Sequence, residues 1–490
     1  MTDPHSGPVT GAQHPGPDES PARTRSVREL FTSRYAALAV GVLLLEFSAG
    51  VTVYISAAVV PVVIADLHAA REYPLVVSAT SVGLFASLAV AARLLRRIGP
   101  RPVLAIGLAT TVAGAVVSAA AGSAMVFAVG RLAASLGSGL LGVFGTAAVI
   151  AAVPQGYRIR LLALTSAMWI IPGMVGPASA VAVLHAIGWR WTLLLALPLV
   201  LAARILVGRA GLRAMPAGGT GRDEDSGVRS DRPLLLTLLL PAGMALFVFG
   251  SAGPLGSWSL IGLVIATAGA IALLPPGTVR LADGPPRYLA LLAVVAVGYF
   301  GADALLTAIG TRADGLALMW VSVALGAAAV CWSLGSMVQP RISGSHGQRT
   351  GTVMVSGIAV MAVGAVAVVV LQRTGAISGP ALLATWCVTG AGMGLAYPIL
   401  YFRATTVTET QRWDAGTLAT AVLVAESTGS VLGGAVGSAI VDGAQRIGAS
   451  EAAGLHAAMA VFAAVLVLAV PVALTRRRRG AIANRVAATS

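Results

Sequence analysis

The sequence contains no lysine, and its only asparagine is Asn484. All 33 basic residues are therefore arginine. Without lysine there is no GxxxxGK[ST] phosphate-binding loop and no Schiff base through a lysine amine, which excludes a nucleotide-driven pump on this one chain. Cysteine is nearly as scarce. Cys331 and Cys387 both fall in apolar runs, which rules out a disulfide framework and leaves them as small packing residues. The six histidines, His5, His14, His68, His185, His346 and His456, lie in the tail, in loops or near the ends of apolar runs. Proton chemistry deep in a membrane would therefore rest on carboxylates. There is no HExxH, no His and Asp paired in mid-helix, and no GxSxG between a strand and a helix, so neither an enzyme nor a metal or cofactor site is expected.

Charge is also sparse. Only 11% of the 490 residues are charged, 57% are hydrophobic, and the mean hydropathy is +0.86. That composition belongs to a polytopic membrane protein rather than a soluble domain. The net charge of +14 is no nucleic-acid signature, because the arginines fall at the ends of apolar runs. The abundance of Ala, Gly, Val and Arg suits a GC-rich bacterial genome and hence a bacterial plasma membrane.

Residues 1–34 are rich in Pro, Gly, Ser and charge and read as a disordered tail, not a signal peptide. Six apolar runs follow in 35–208, a polar linker in 209–233, an inserted pair of runs with its following loop in 234–287, six more in 288–475, and an Arg-rich tail in 476–490. The reading is an all-α bundle of fourteen crossings. With the N-terminus inside, 27 of the 33 arginines fall in cytoplasmic segments and five, Arg71, Arg190, Arg312, Arg373 and Arg446, in outer loops. This is the skew of the positive-inside rule. Thirteen crossings would put the run Arg476–Arg479 outside, so both termini are expected in the cytoplasm.

The first apolar run, 35–66, exceeds the roughly 20 residues a bilayer requires and carries one charge away from its ends, Glu46. Ten residues into a helix, that carboxyl lies about 15 Å deep, near the midplane. A charge there costs a few kcal/mol to insert and marks a substrate or proton site. Asp303 and Glu426 lie within the ninth and thirteenth runs. Proton coupling requires a carboxyl group that cycles between charged and neutral forms, and a site taking either a proton or a cation exchanges one for the other. Tyr54, Trp169, Tyr299 and Tyr397, with Phe47, Phe300, Trp320 and Tyr401, lie at similar depths and could offer ring faces to a lipophilic cation.

Five segments carry a family resemblance. ARLLRRIGPR at 92–101 resembles the GxxxDRxGRR loop of the major facilitator superfamily: Arg97, Gly99 and Arg101 match, while Ala92 and Arg96 replace the glycine and the aspartate. RLAASLGSG at 131–139 resembles the fourth-helix RxxQGxG through Arg131 and Gly137. PGMVGPASAV at 172–181 resembles the antiporter signature GxxxGPxxGG through Gly176 and Pro177, with Gly173 one place out of register. GWRW at 188–191 resembles the outer boundary of helices five and six, and GSVLGGAVGSA at 429–439 a late helix of the fourteen-helix drug:proton antiporters.

The resemblance implies two six-helix halves around a central cavity, with Glu46, Asp303 and Glu426 in cavity-lining helices. It implies a proton-transfer role for Arg131 and a hinge at Gly176–Pro177. It also implies that the 92–101 loop clasps helix ends in one state, with the missing aspartate leaving its salt bridge open. The function expected is proton-coupled efflux of a small lipophilic or cationic molecule by a monomer, with substrate, protons and lipid as its partners. Import of a metabolite, or export of an endogenous antibiotic or lipid, are rival readings. A non-transporting sensor lacks an output domain, since neither tail nor linker is long enough to fold as one.

Overall fold

The computed structural model describes residues 27–69, 72–195, 197–214, 234–251, 256–344, 349–406 and 413–487. Every regular element among them is helical. Eleven stretches are long and apolar enough to cross a membrane, and two shorter apolar helical stretches, Leu235–Phe247 and Trp258–Leu273, fall where the inserted pair is expected.

After a short helix α1 (Val27–Thr32), the first half comprises α2 (Ala36–Asp66), α3 (Tyr73–Ile98), α4 (Pro100–Ala119), α5 (Ala124–Ala152), α6 (Gln155–Ala167), α7 (Ile170–Leu195) and α8 (Leu197–Ala214). The inserted pair is α9 (Leu234–Ser251) and α10 (Gly256–Leu273). The second half comprises α11 (Pro285–Ala308), which runs into a π-turn at Ile309–Ala313, then α12 (Leu318–Ile342), α13 (Thr350–Arg373), α14 (Gly379–Ala404), α15 (Ala415–Arg446) and α16 (Glu451–Ala487).

The halves repeat one packing pattern. In the first, α2 lies against α7 and α8, and α5 against α3 and α4; in the second, α11 lies against α15 and α16, and α14 against α12 and α13. Equivalent glycines bring equivalent helices together. A Cβ on Gly137 of α5 would lie 2.5 Å from the Gly107 carbonyl oxygen of α4, and one on Gly392 of α14 would lie 2.4 Å from the Met361 nitrogen of α13. Backbones this close are how membrane helices gain dispersion contact without a hydrophobic driving force. The inserted helices α9 and α10 meet in the same way at Gly243, Gly262 and Gly269, and they lean on α3 and α15.

Several boundaries differ from expectation. Residues 1–26 lie outside the described residues, but 27–32 form a helix rather than a disordered tail. Leu30 anchors it, fully buried in a cluster with Phe144, Tyr157 and Leu161. Helix α8 continues to Ala214, and the rest of the linker, 215–233, is outside the described residues. Helix α16 runs past 475 to Ala487, through both Pro471 and Gly480. The fifth and sixth runs are joined not by a loop but by one non-helical residue, Gly188, at φ 75° and ψ 164°.

At the end carrying that turn, Asp66 of α2 accepts from Trp189 Nε1 at 3.0 Å and pairs with Arg190 at 3.4 Å, while Arg190 also donates to the Ala121 carbonyl oxygen at 3.2 Å. Only Trp191 of the GWRW pair of tryptophans is exposed; Trp189 is buried against Phe127. In the second half, the buried Asp314 carboxylate holds Gln372 Nε2 at 3.0 Å and lies 2.7 Å from His456 Nε2, tying the π-turn to α13 and α16.

Candidate functional site

The fifth crossing is interrupted at Met168–Trp169, between α6 and α7. Pro172 explains the break: it has no N–H for the Met168 carbonyl, and its ring crowds that carbonyl. The interruption places Trp169 opposite α2, where its Nε1 donates to Glu46 Oε2 at 3.1 Å. Gly50, one turn beyond Glu46, admits α7. A Cβ there would lie 2.9 Å from Pro172 Cβ. Irregular backbone at membrane depth is tolerated where it lines a cavity or is covered by protein.

Glu426 comes from the other half, on α15, and accepts from the Tyr397 hydroxyl of α14. It lies near enough to Glu46 for the two carboxyl groups to act on each other electrostatically, and Tyr397 and Tyr401 lie within reach of both. Tyr401 hydrogen-bonds Thr146 of α5, so the two halves meet around this pair. Asp303 on α11 accepts from Trp386 Nε1 at 3.2 Å and lies within electrostatic reach of Tyr54 on α2.

A wall of rings in the second half connects the two carboxylate positions. Trp386 stacks on Tyr299 (centroids 6.1 Å apart, 15° between planes). Tyr299 meets Trp332 at 5.6 Å and Phe300 at 5.4 Å, Trp332 meets Tyr397 at 5.5 Å, and Tyr397 meets Tyr401 at 6.0 Å. Glu46, Asp303 and Glu426 are all half-buried, and among the described residues no arginine pairs with any of them. Carboxylates without a basic partner beside ring faces suit a proton or an organic cation.

The other expected positions are distributed as follows. Arg131 donates to Ser56 Oγ at 3.0 Å, bridging α5 to α2 away from the carboxylates. The Tyr54 ring fills the space over Gly176, and its hydroxyl lies by Gly173. Helix α7 passes through Gly176 and Pro177 without interruption. Trp320 packs on Gly379 instead of joining the ring wall. Trp332, Trp386, Thr146 and Pro172 belong to the site and were not singled out in the sequence. Of these, only Pro172, after two isoleucines within an apolar run, carried a local signal, that of a helix break.

The 92–101 loop shows how the lost aspartate is replaced. Gly99 at φ 82° makes the turn, and Arg97 and Arg101 are exposed. Arg96, at the aspartate's position, reaches across to the second half, 3.5 Å from Asp414 Oδ2 and 3.2 Å from Thr417 Oγ1. Asp414 also caps α15, its Oδ1 accepting from the Thr417 N–H at 2.7 Å. An ion pair thus joins this loop to the second half, with the acid at the cap of α15 rather than in the loop. Beside it, Arg158 donates to the Thr405 carbonyl oxygen at 3.1 Å and to those of Ile150 and Val153 at 2.7 and 3.2 Å. Nearer mid-depth, Ser333 Oγ donates to the Ser166 carbonyl oxygen at 2.8 Å.

The profile of the Major Facilitator Superfamily matches residues 42–340. Two proteins from strains of Mycobacterium tuberculosis, each described as a probable multidrug-efflux transporter, are 28% identical over 488 residues, covering 94% of this chain and 99% of theirs. Among solved structures, a bacterial homologue of the iron transporter ferroportin in an outward-facing state superposes with a TM-score of 0.65 at 13% identity, over 90% of this chain and 98% of that one. The human organic anion transporter MFSD10 (TETRAN) gives 0.61 at 13% identity, over 91% and 99%. The Escherichia coli fucose:proton symporter gives 0.56 at 14% identity, over 89% and 98%. The chain belongs to the major facilitator superfamily.

Proposed function

We propose that this transporter exports small lipophilic cations from a bacterial cell in exchange for protons, by alternating access of a central site to the two faces of the plasma membrane. The observation that carries the proposal is the approach of Glu46 and Glu426 from opposite halves, with Trp169 and Tyr397 as their donors. A site shared between halves changes its surroundings whenever the halves rock. A proton or a cation can each neutralise it, and the two compete. The relatives described as multidrug-efflux transporters support export over import.

In this reading Glu46 is the principal carboxylate, and Glu426 and Asp303 are secondary. Arg131, through Ser56, sets the position of the outer part of α2, and Gly176–Pro177 is where α7 flexes against Tyr54. The chain crosses the membrane fourteen times with both termini in the cytoplasm and works as a monomer. The distribution of arginines supports that orientation.

The test is reconstitution into vesicles under an imposed pH gradient, following lumenal pH and a panel of cationic and neutral dyes. Gradient-driven movement of cationic dyes with counterflow of protons is expected, and Glu46→Gln abolishes it. Proton movement without dye response, unchanged in Glu46→Gln, overturns both the coupling and the site. Loss of cation transport with neutral compounds spared makes Glu46 a substrate contact alone.

A further inference from the structure

A cleft lies where the inserted helix pair meets both halves. Arg93 and Arg96 of α3, Thr237 of α9, and Trp413, Thr417 and Thr420 at the start of α15 line it. Apolar residues of α3 and of the 272–276 segment form the rest of its wall. Two arginines and no carboxylate face it. Thr420 is 3% exposed, and its Oγ1 has no hydrogen-bond partner. A buried hydroxyl left unpaired is costly unless something accepts or donates there.

We infer that this cleft binds the anionic headgroup of a phospholipid from the inner leaflet, and that the lipid competes with Asp414 for Arg96. Three features of the cleft converge on that occupant. The cleft lies where α3 and α10 end and α15 begins, at the arginine-rich end of the bundle. Its positive lining matches a phosphate, and the orphan Thr420 hydroxyl can donate to a phosphate oxygen. Its apolar side, with Leu88, Leu273 and Leu274, would receive the start of an acyl chain, from which a free anion in water gains nothing.

Arg96 belongs both to this cleft and to the ion pair joining the halves. A headgroup that draws Arg96 away loosens that junction. The inserted pair, which supplies Thr237 and the 272–276 wall, would thereby make the transporter's inner gate responsive to lipid composition. The inference uses the inside orientation proposed above but not the transport reaction, so its failure leaves the transport reading standing.

The experiment is native mass spectrometry of the full chain exposed to equimolar phosphatidylglycerol and phosphatidylcholine, with thermal stability as the folding control. Preferential retention of phosphatidylglycerol is expected. In Arg93→Gln the preference falls about fivefold, the factor equivalent to ~1 kcal/mol per basic residue near an anionic headgroup. Arg93→Lys keeps most of it. Asp414→Asn preserves a good helix cap while removing the competing charge, and it raises the preference. Equal retention of the two lipids overturns the inference. So does a preference indifferent to both Arg93→Gln and Asp414→Asn. Displacement of the lipid by millimolar inorganic phosphate or glycerol phosphate also overturns it, by showing a free-anion site.

Discussion

At the scale of single residues, the carboxylates were the legible part. A charge inside an apolar run stands out because the bilayer penalises it, and Glu46, Asp303 and Glu426 needed no further signal. Replacing Glu46 by Gln keeps the acceptor for Trp169 but removes the charge. The expected result is a loss of pH-driven cation efflux of about tenfold or more, equivalent to about 1.4 kcal/mol or more, with unchanged thermal stability; transport assays and melting curves check it. The partners were not legible. Trp386 is 83 residues from Asp303 in sequence, and its indole is fully buried, so only the tertiary fold reveals the bond between them. Gly176 was legible as a small residue, but its reason was not. A Cβ there would lie 2.6 Å from Tyr54 Cδ2 and 2.9 Å from its Cγ. Gly176→Ala should therefore cost ~1–3 kcal/mol of stability, as overpacking does. The double variant Gly176→Ala, Tyr54→Leu should regain thermal stability without regaining transport, since Tyr54 also lies within electrostatic reach of Asp303. Retained instability in the double variant would place the strain elsewhere.

At the scale of elements, hydropathy located the helices well, because a membrane-crossing run has little competition from other structures. It failed where a single residue rather than a run decides the outcome. Gly188 turns the chain without a loop, and Pro172 divides the fifth crossing at the depth where Trp169 is needed. Leu30 draws the end of a polar tail into helix α1, which composition averaged away. The Arg96–Asp414 junction was hidden for another reason. The family pattern placed an acid on α3, whereas here the acid is on the second half, at the cap of α15. Both side chains are about one-third exposed and the contact is 3.5 Å, so the pair is worth at most about 1 kcal/mol. It biases the closed inner end and does not lock it. Asp414→Asn should shift the balance of inward- and outward-open forms by up to about fivefold, measured by spectroscopic distances between labels on the two halves. The exchange Arg96→Asp with Asp414→Arg should restore the balance, whereas Arg96→Asp alone should shift it further, through repulsion from Asp414. A junction indifferent to both changes would mean that Arg158 and Ser333 hold that end without it.

At the scale of the whole molecule, two halves with matching helix contacts enclose carboxylates contributed by both, and among the described residues hydrogen bonds at mid-depth and toward the arginine-rich end join the halves. With that end in the cytoplasm, as proposed above, closure there would make this an outward-facing state. Alternating access then requires the Ser166–Ser333, Arg158–Thr405 and Arg96–Asp414 contacts to part in every cycle. Ser166 lies just before the break in the fifth crossing, so holding it to α12 should also fix Trp169 against Glu46. The strongest test of the cycle is a reversible cross-link at this point. In a background with Cys331→Ser and Cys387→Ser, Ser166→Cys and Ser333→Cys are oxidised to a disulfide by a copper–phenanthroline oxidant. Each thiol loses its proton and together they give up two electrons. Oxidised protein should retain substrate binding from the outer face and lose transport, and dithiothreitol should restore it. Either single cysteine variant, treated identically, should transport normally. Full turnover by quantitatively cross-linked protein would show that the inner end need not open there, and that the halves do not rock apart as proposed.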